Sequence, residues 1–343
     1  MNMNNEELLL DIEDLHVHFI SKEETVKALN GVDLKVRKGK TIGIVGETGA
    51  GKTTTALAVL NMIQKPQGKI ISGKITLDGI DIFSQNNTEM ENIRGNLVSM
   101  IFQDPMSSLN PVLNVGDQIA EGLILHKHMD KKEALEEAGN LLEKVGIPRA
   151  RAIDYPHQFS GGMKQRVLIA MGLACDPKLL IADEPTTALD VTIQAQVLQL
   201  MRDLKNNSNT TILMITHDFG IVAEMCDEVY VMYAGTIIER GSLEDIFDHT
   251  RHPYTEGLFN SLPDIEHRDR ELIPIKGRAV DPTNLPTGCP FWPRCNYVCD
   301  KCSQGMPPEI KLSDTHSVKC WLYENTNENR LVRPDYTEED DNG

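Results

Sequence analysis

Phe159-Ser160-Gly161-Gly162-Met163-Lys164-Gln165-Arg166, followed by Leu179-Leu180-Ile181-Ala182-Asp183-Glu184-Pro185, is the part of the sequence that decides the fold. The first segment is a Ser-Gly-Gly turn that opens a helical pattern, and a helix N-terminus offers free N–H groups to an anion. The second is a short apolar run, typical of a buried strand, that ends in two carboxylates. Phosphate-binding loops occur in kinases, GTPases, helicases and motors, so this pair of segments is more specific than such a loop alone.

A phosphate-binding loop lies upstream, between a predicted strand over Thr41–Val45 and a predicted helix. It matches G-x-x-x-x-G-K-[ST] with Gly46, Glu47, Thr48, Gly49, Ala50, Gly51, Lys52 and Thr53, and Thr54 follows. The glycines let the backbone turn its N–H groups toward the phosphates of a nucleotide. We expect Lys52 to contact the β- and γ-phosphates and the Thr53 hydroxyl to bind Mg²⁺. The loop therefore predicts a site for ATP and magnesium.

The acidic pair Asp183-Glu184 closes the predicted strand Leu179–Ala182. A carboxylate at this position can hold Mg²⁺ directly or through water, which is the role expected for Asp183. The next carboxylate, Glu184, is placed to polarise the attacking water. The alternative is that Glu184 only caps the end of the strand.

Strand-like and helix-like patterns alternate over the first 250 residues, which predicts an α/β fold. Strands are predicted at 15–19, 32–36, 41–45, 74–77, 97–102, 179–182, 211–215 and 228–233. Helices are predicted at 133–145 and 164–173, within a helical subdomain over about 104–176. We expect a nucleotide-binding domain over 1–250, a Pro- and Cys-rich extension over 251–330 and a disordered acidic tail over 331–343.

These motifs resemble those of the ATP-binding-cassette family. The resemblance implies a P-loop fold with a mixed sheet core, an antiparallel β subdomain and a helical subdomain. It implies that Glu184 is the general base, that Gln103 senses the γ-phosphate and Mg²⁺, and that His217 is the switch histidine contacting the γ-phosphate. Phe19 lies near the place where the family stacks an aromatic ring on adenine, although an aromatic residue in a strand can equally be core.

The resemblance also implies a second cassette. In the family the turn Ser160-Gly161-Gly162 faces the nucleotide of the partner cassette, and the loop Thr187-Ala188-Leu189-Asp190 crosses to that partner. No internal repeat supplies a second cassette within this chain. We therefore expect the chain to act as a homodimer or heterodimer of ATPase subunits.

Residues after the first domain indicate a subfamily within the cassette family. Arg251-His252-Pro253-Tyr254-Thr255, Leu258 and Leu262-Pro263 resemble the extension found in ATPase subunits of oligopeptide, dipeptide and nickel importers. The implied function is ATP hydrolysis that powers peptide import, with nickel or another small solute as the alternative cargo. The implied partners are two membrane permease subunits, a second ATPase subunit and an extracellular solute-binding protein.

Five of the seven cysteines lie between Cys289 and Cys320, and such clustering in a cytosolic protein indicates metal rather than disulfides. Cys289, Cys295, Cys302 and Cys320 match the spacing of this importer subfamily, some members of which carry a [4Fe–4S] cluster. Cys299 breaks that spacing and is a possible substitute ligand. A Cys₄ zinc site and a set of reduced structural thiols remain alternatives. Such a module could couple transport to redox state or iron supply, or only stabilise the extension.

Composition restricts the partners and the location. The chain has 343 residues and a formal net charge of −17. This charge disfavours sequence-independent binding to nucleic acid and direct adsorption to anionic lipid. The longest apolar run, Val167–Cys175, is too short to span a bilayer. We therefore expect a peripheral protein on the cytoplasmic face of the cell membrane, held there by its partners.

Two other classes of protein fit the sequence less well. Soluble cassettes that act in DNA repair carry a long coiled coil, and those that act in translation are doubled in one chain, but neither feature is present. A small-molecule P-loop kinase would leave Ser160 and Asp190 unexplained.

Overall fold

The computed structural model describes residues 7–187, 189–208, 210–262, 273–325 and 331. The chain forms two compact units, Met1–Thr236 and Ile237–Gly343. Ala188 of the predicted crossing loop lies outside the described residues, as does the predicted acidic tail apart from Leu331.

The first unit contains two sheets. Its strands are β1 Leu8–Ile20, β2 Thr25–Arg37, β3 Thr41–Val45, β4 Gly68–Leu77, β5 Ile80–Asp81, β6 Val98–Ile101, β7 Leu179–Asp183, β8 Thr211–Ile215 and β9 Glu228–Tyr233. Its helices are α1 Lys52–Val59, α2 Asn87–Ile93, α3 Pro105–Ser108, α4 Val115–Lys127, α5 Lys131–Lys144, α6 Gly161–Leu173, α7 Val191–Ser208 and α8 Phe219–Met225. The mixture of strands and helices agrees with the predicted α/β class.

A parallel sheet forms the core of this unit, in the order β9-β3-β8-β7-β6. All residues of β3, β7 and β8 are buried, as expected for strands covered on both faces. Since the strands are parallel, their carboxyl ends meet at one edge. The loops that follow β3, β6, β7 and β8 therefore converge there.

An antiparallel sheet in the order β2-β1-β4-β5 forms a second layer of the first unit. β1 pairs with both β2 and β4 along most of its length, with several register shifts. Leu15 and Val17 are fully buried, and they alternate with the half-buried His16 and His18. This sheet carries Phe19 near the end of β1.

The helical segment lies between β6 and β7 and contains α3, α4, α5 and α6. α4 and α5 begin at Asn114 and Asp130, whose side chains accept backbone N–H groups of the first turn. α5 buries Ala134, Ala138 and Leu142 on one face, so its amphipathic pattern packs inward.

The second unit is smaller and richer in loops. Its regular elements are β10 Thr236–Ser242, α9 Leu243–Phe247, α10 Pro253–Asn260, β11 Ile310–Lys311 and β12 Ser317–Val318, and β10 begins at the last residue of the first unit. β12 pairs antiparallel with β10 and with β11. The buried carboxylate of Glu239 accepts hydrogen bonds from the backbone N–H groups of Arg251 (2.6 Å) and His252 (3.0 Å) and lies 2.9 Å from His316 Nε2. These bonds fix the start of α10.

Candidate nucleotide site and cysteine cavity

The phosphate-binding loop joins β3 to α1 and adopts backbone conformations that need glycine. Gly46 has φ of 153°, and a Cβ atom there would lie 2.1 Å from the Met232 carbonyl oxygen. Gly51 is the N-cap of α1 with φ of 107°, and no side chain caps the helix. The first N–H groups of α1 therefore remain available to an anion such as a phosphate.

Lys52 lies inside this loop and is 7% exposed. Its Nζ donates hydrogen bonds to the carbonyl oxygens of Gly46 (2.7 Å) and Glu47 (3.1 Å). Burial lowers the pKa of Lys52, and the negative charges of Glu184, Asp183 and Glu47 oppose that shift. The ammonium group is thus held at the base of the loop, where a phosphate oxygen would be its natural partner.

Asp183 ends β7 and is 2% exposed. Burial raises the pKa of this carboxyl group, whereas a hydrogen bond from Thr53 lowers it. Asp183 Oδ1 is buried and has no hydrogen-bond partner among the described residues. A buried carboxylate oxygen beside a threonine hydroxyl fits Mg²⁺, a hard cation that binds oxygen ligands. The predicted magnesium ligands Thr53 and Asp183 are therefore brought together.

Glu184 lies at the centre of a hydrogen-bonded group. Gln103 Nε2 and Thr187 Oγ1 donate to its Oε2 at 2.8 and 2.9 Å, and His217 Nδ1 lies 3.0 Å from its Oε1. Burial by itself would raise the pKa of Glu184, but hydrogen bonds from His217 and Thr187 and the charges of His217 and Lys52 hold it below its usual value. The carboxylate is thus kept in the ionised form that a general base requires.

The order of the strands explains how these residues meet. Gln103 follows β6, Glu184 follows β7 and His217 follows β8, which are neighbours in the parallel sheet. Glu184 has a left-handed backbone with φ of 47°, and its N–H donates to the Ile215 carbonyl. Strained backbone of this kind is concentrated at functional sites. Thr187 was not predicted as a partner of Glu184. The signal in the sequence was a hydroxyl side chain three residues after the carboxylate.

The Ser-Gly-Gly turn opens α6 as expected. Ser160 is the N-cap, and its side chain accepts the Met163 N–H at 3.4 Å. Ser160 and Gly161 are exposed, and a Cβ atom added at Gly161 would meet nothing within 4 Å. Gly162 is packed, since a Cβ atom there would lie 2.5 Å from Ile193. The exposed turn leaves room for an anion at the start of α6.

Asp190 and Phe19, the remaining predicted site residues, do not contact the group around Glu184 in the contacts described here. Asp190 accepts the Ile193 N–H at 3.0 Å and so caps the start of α7. Phe19 is half-buried, and its ring lies beside Gly68. The stacking of Phe19 on adenine and the contact of the Asp190 loop with a partner cassette stay predictions.

The cysteines predicted as ligands line one cavity in the second unit. About 310 Å³ of empty space, a figure that includes open solvent, lies between the lining residues, and the wall includes Cys289, Cys295, Cys302 and Cys320. Its other lining residues are His252, Pro253, Phe291, Trp292, Tyr297, Pro307, Trp321 and Leu322. Cys299 is exposed and is absent from this wall, although its Sγ lies 3.4 Å from that of Cys302. The predicted set of four is therefore the one that shares a space.

Three of the thiols of this cavity are buried, and that of Cys295 is half-buried. Burial raises the pKa of Cys289 to about 11 and that of Cys295 to about 12, and it raises the pKa values of Cys302 and Cys320 as well. Backbone N–H groups oppose these shifts: those of Phe291 and Trp292 bond to Cys289, that of Tyr297 to Cys295, that of Cys299 to Cys302 and that of Leu322 to Cys320. Each thiol thus has a donor suited to a thiolate.

Among the described residues, no group of three or more His, Cys, Asp or Glu side chains is arranged to hold a metal ion. None of the described helices is long and apolar enough to cross a membrane.

Comparison with known proteins agrees with this geometry. Residues 29–187 match the family model of the ABC transporter, and residues 238–302 match that of the oligopeptide/dipeptide transporter C-terminal region. Oligopeptide transport ATP-binding protein AppD of Bacillus subtilis is 51% identical over 92% of this chain and 97% of its own. Dipeptide transport ATP-binding protein DppD of the same organism is 45% identical over 96% of this chain and 99% of its own.

Solved structures show the same fold. A dimeric ATP-binding cassette in a post-hydrolysis state with ADP and phosphate is 26% identical and aligns with a TM-score of 0.62 over 68% of this chain and 98% of its own. A cassette of the cbiONQ transporter complex from Clostridium perfringens is 29% identical, with a TM-score of 0.61 over 71% and 92% of the two chains. The chain belongs to the ATP-binding-cassette family, among the ATP-binding proteins of oligopeptide and dipeptide transporters.

Proposed function

We propose that the protein is the ATP-hydrolysing subunit that powers import of peptides across the cytoplasmic membrane as part of a multi-subunit transporter. The observation that carries the ATPase assignment is the group of Gln103, Thr187 and His217 around Glu184, at the sheet edge that also holds Lys52. The peptide cargo is supported by the oligopeptide and dipeptide transport proteins to which nearly the whole chain is similar.

In this proposal each residue of the site has a distinct role. The N–H groups of residues 46–54 and the Lys52 ammonium bind the ATP phosphates, while Thr53, Asp183 and Gln103 hold Mg²⁺. Glu184 accepts a proton from the attacking water, and His217 contacts the γ-phosphate. The hydrogen bonds that already surround Glu184 orient its carboxylate for that step.

The second ATP-binding surface comes from another subunit. Ser160, Gly161 and Gly162 present an exposed helix N-terminus, which supports a role toward the nucleotide of a partner cassette. Asp190 would act at the same interface. We propose a homodimer or heterodimer of cassettes bound to two permease subunits at the cytoplasmic face, fed by an extracellular solute-binding protein.

Transport in reconstituted vesicles tests this function. The chain, its permease pair and the binding protein would be assembled with ATP inside the vesicles, and uptake of a labelled peptide would be measured. Lys52→Met, which keeps the length of the buried side chain but removes its charge, should abolish uptake. Lys69→Met, the same change at an exposed position of β4, is the matched control, and the transporter that contains it should take up the peptide normally. Uptake that is insensitive to Lys52→Met, or uptake of nickel without peptide, contradicts the proposal.

We further propose that Cys289, Cys295, Cys302 and Cys320 hold a [4Fe–4S] cluster. The fit is supported by four thiols around one cavity, each with a backbone N–H donor that favours the thiolate. Such a cluster would be held by four cysteine thiolates, the number that this wall offers. A cluster here would supply a one-electron redox centre. Zinc is the rival, since it binds four thiolates at about 2.3 Å from one centre.

Metal analysis of anaerobically purified protein separates the two. About four iron atoms per chain with a broad visible absorption band is the result expected for the cluster. Stoichiometric zinc without iron contradicts it.

A further inference from the structure

Two buried N–H groups in the wall of the cysteine cavity have no acceptor among the described residues. They are Nε2 of His252 and Nε1 of Trp292, both of which belong to residues lining the cavity. A buried donor without an acceptor loses its hydrogen bond to water and gains none in return, so native proteins rarely tolerate one. Two such donors on one cavity indicate that the occupant of the cavity supplies the acceptors.

The proton of His252 can be placed from its hydrogen bond. His252 is 1% exposed and caps α10, where its Nδ1 accepts the Tyr254 backbone N–H at 3.0 Å. An accepting Nδ1 carries no proton, so the neutral ring carries its proton on Nε2. Nε2 is therefore a donor, and its position in the ring is fixed by the helix cap.

Trp292 can only donate, because the indole nitrogen has no acceptor capacity. The residue starts a short helical turn, Trp292–Arg294, between Cys289 and Cys295, and its backbone N–H donates to the Cys289 carbonyl at 3.1 Å. Its side chain is thus held between two of the proposed ligands.

The other polar side chains of the wall show what is unusual about these two. Tyr297 donates to Glu256 Oε1 at 3.4 Å, and Trp321 Nε1 donates to the Gly305 carbonyl at 3.0 Å. Both donors are satisfied by the protein itself. The rest of the wall, apart from the cysteines, is formed by proline, phenylalanine and leucine side chains, which offer no acceptor.

We propose that His252 Nε2–H and Trp292 Nε1–H donate hydrogen bonds to sulfur atoms of the iron–sulfur cluster held by the four cysteines, and that they raise its reduction potential. This inference rests on the cluster proposed above. Sulfur atoms gain negative charge when a cluster is reduced, so a donor stabilises the reduced form more than the oxidised form. Neither side chain would bind iron; each would act on the cluster only through its hydrogen bond to sulfur.

Three variants of the full chain separate the donor role from the structural role of His252. His252→Asn keeps an acceptor for the Tyr254 N–H but is too short to donate from the position of Nε2. His252→Gln places an amide N–H near that position and gives up the cap. Trp292→Phe keeps an aromatic ring and removes the N–H. Each would be purified anaerobically, its iron content measured, and its cluster titrated against redox mediators by visible absorption and electron paramagnetic resonance.

The expected result is a lower potential in His252→Asn and in Trp292→Phe, with His252→Gln close to the wild type. We expect about a tenfold fall in the ratio of reduced to oxidised cluster at a fixed potential for each lost donor, which is 59 mV for one electron. If His252→Asn binds no iron while His252→Gln does, a donor at this position is needed to hold the cluster, and the proposal is again supported.

Other results overturn it. Equal potentials in all iron-loaded variants would remove the donor role and leave the cluster in place. Loss of iron in both His252 variants, with an unchanged potential in Trp292→Phe, would show that the ring acts only as a helix cap. Zinc instead of iron in the wild type would overturn the cluster and this inference together.

Discussion

The nucleotide site and the cysteine cavity are built in opposite ways. At the nucleotide site the functional groups contact one another: Glu184 is hydrogen-bonded to Gln103, Thr187 and His217. In the cavity the thiols surround a space and are hydrogen-bonded to nearby backbone N–H groups. The first is assembled by neighbouring parallel strands, the second by loops and short turns.

The two sites differ in how far the protein alone sets the protonation state of its functional groups. The pKa of Glu184 is held low by the protein, so its carboxylate is ionised before any nucleotide binds. Burial raises the pKa of Cys295 to about 12, so the surroundings of this thiol favour its protonated form. We therefore expect the nucleotide site to keep its arrangement without a ligand, and the cavity to depend more on its occupant.

The largest effect is expected from Gly46→Ala in the phosphate-binding loop. The new Cβ atom would lie 2.1 Å from the Met232 carbonyl oxygen, on a backbone with positive φ. Strained backbone and overpacking each cost about 1–3 kcal/mol, so the free energy of unfolding should fall by about 4 kcal/mol and nucleotide binding should be lost. Thermal unfolding and ATP titration measure both.

Gly49→Ala is the matched control for this variant. Gly49 also has a positive φ of 82°, but a Cβ atom there meets nothing within 4 Å. It should cost about 1–2 kcal/mol from backbone strain alone. Equal losses in the two variants would show that the clash with Met232 is unimportant.

The cavity is tested by exchanging one cysteine at a time. Cys295→Ser removes a lining thiol and should abolish cluster binding, whereas Cys299→Ser changes an exposed thiol outside the wall and should retain the iron. Iron content per chain and the visible spectrum are the measurements. Retention of iron in the first variant with loss in the second would reverse the ligand assignment and weaken the comparison.

A smaller effect is expected from Thr187→Val, which removes one donor from Glu184 while preserving the shape of the side chain. A hydrogen bond to a charged group contributes about 1.5–3 kcal/mol, so kcat should fall roughly tenfold or more. The pKa of Glu184 should rise toward its usual value. Because a base is active only when deprotonated, the acid limb of the kcat profile should then move to higher pH.

Thr88→Val on the exposed surface of α2 is the control and should leave the pH profile unchanged. An unshifted acid limb in Thr187→Val would mean that the threonine does not act through Glu184.

The sequence predicted the buried parallel strands well. β3, β8 and β9 have the predicted limits because each is a continuous apolar run between polar turns. β1, β2 and β4 extend well beyond their predicted limits. Register shifts interrupt the alternation along β1, and Gly73, with φ of 101°, interrupts it in β4. A period of two cannot be followed across such irregularities.

The same contrast applies to the sites. The residues of the phosphate-binding loop, Asp183 and Glu184 follow from a motif, because the phosphate and Mg²⁺ demand those groups at that spacing. The role of Thr187 and the donors His252 and Trp292 could not be predicted, because they depend on which atoms are left without partners after folding. The four-cysteine set was predicted from its resemblance to the spacing in the importer subfamily, with Cys299 as a possible substitute, but its shared cavity is a property of the folded loops.

The most direct test of the account is the effect of Glu184→Gln on hydrolysis and assembly. Removing the general base should lower kcat by about 10²–10⁴-fold while ATP still binds, so a closed dimer of cassettes should accumulate with ATP in light scattering. Glu91→Gln, the same change at an exposed position of α2, should hydrolyse ATP as the wild type does. Steady-state hydrolysis by Glu184→Gln at the wild-type rate would contradict the central claim that this carboxylate activates the water.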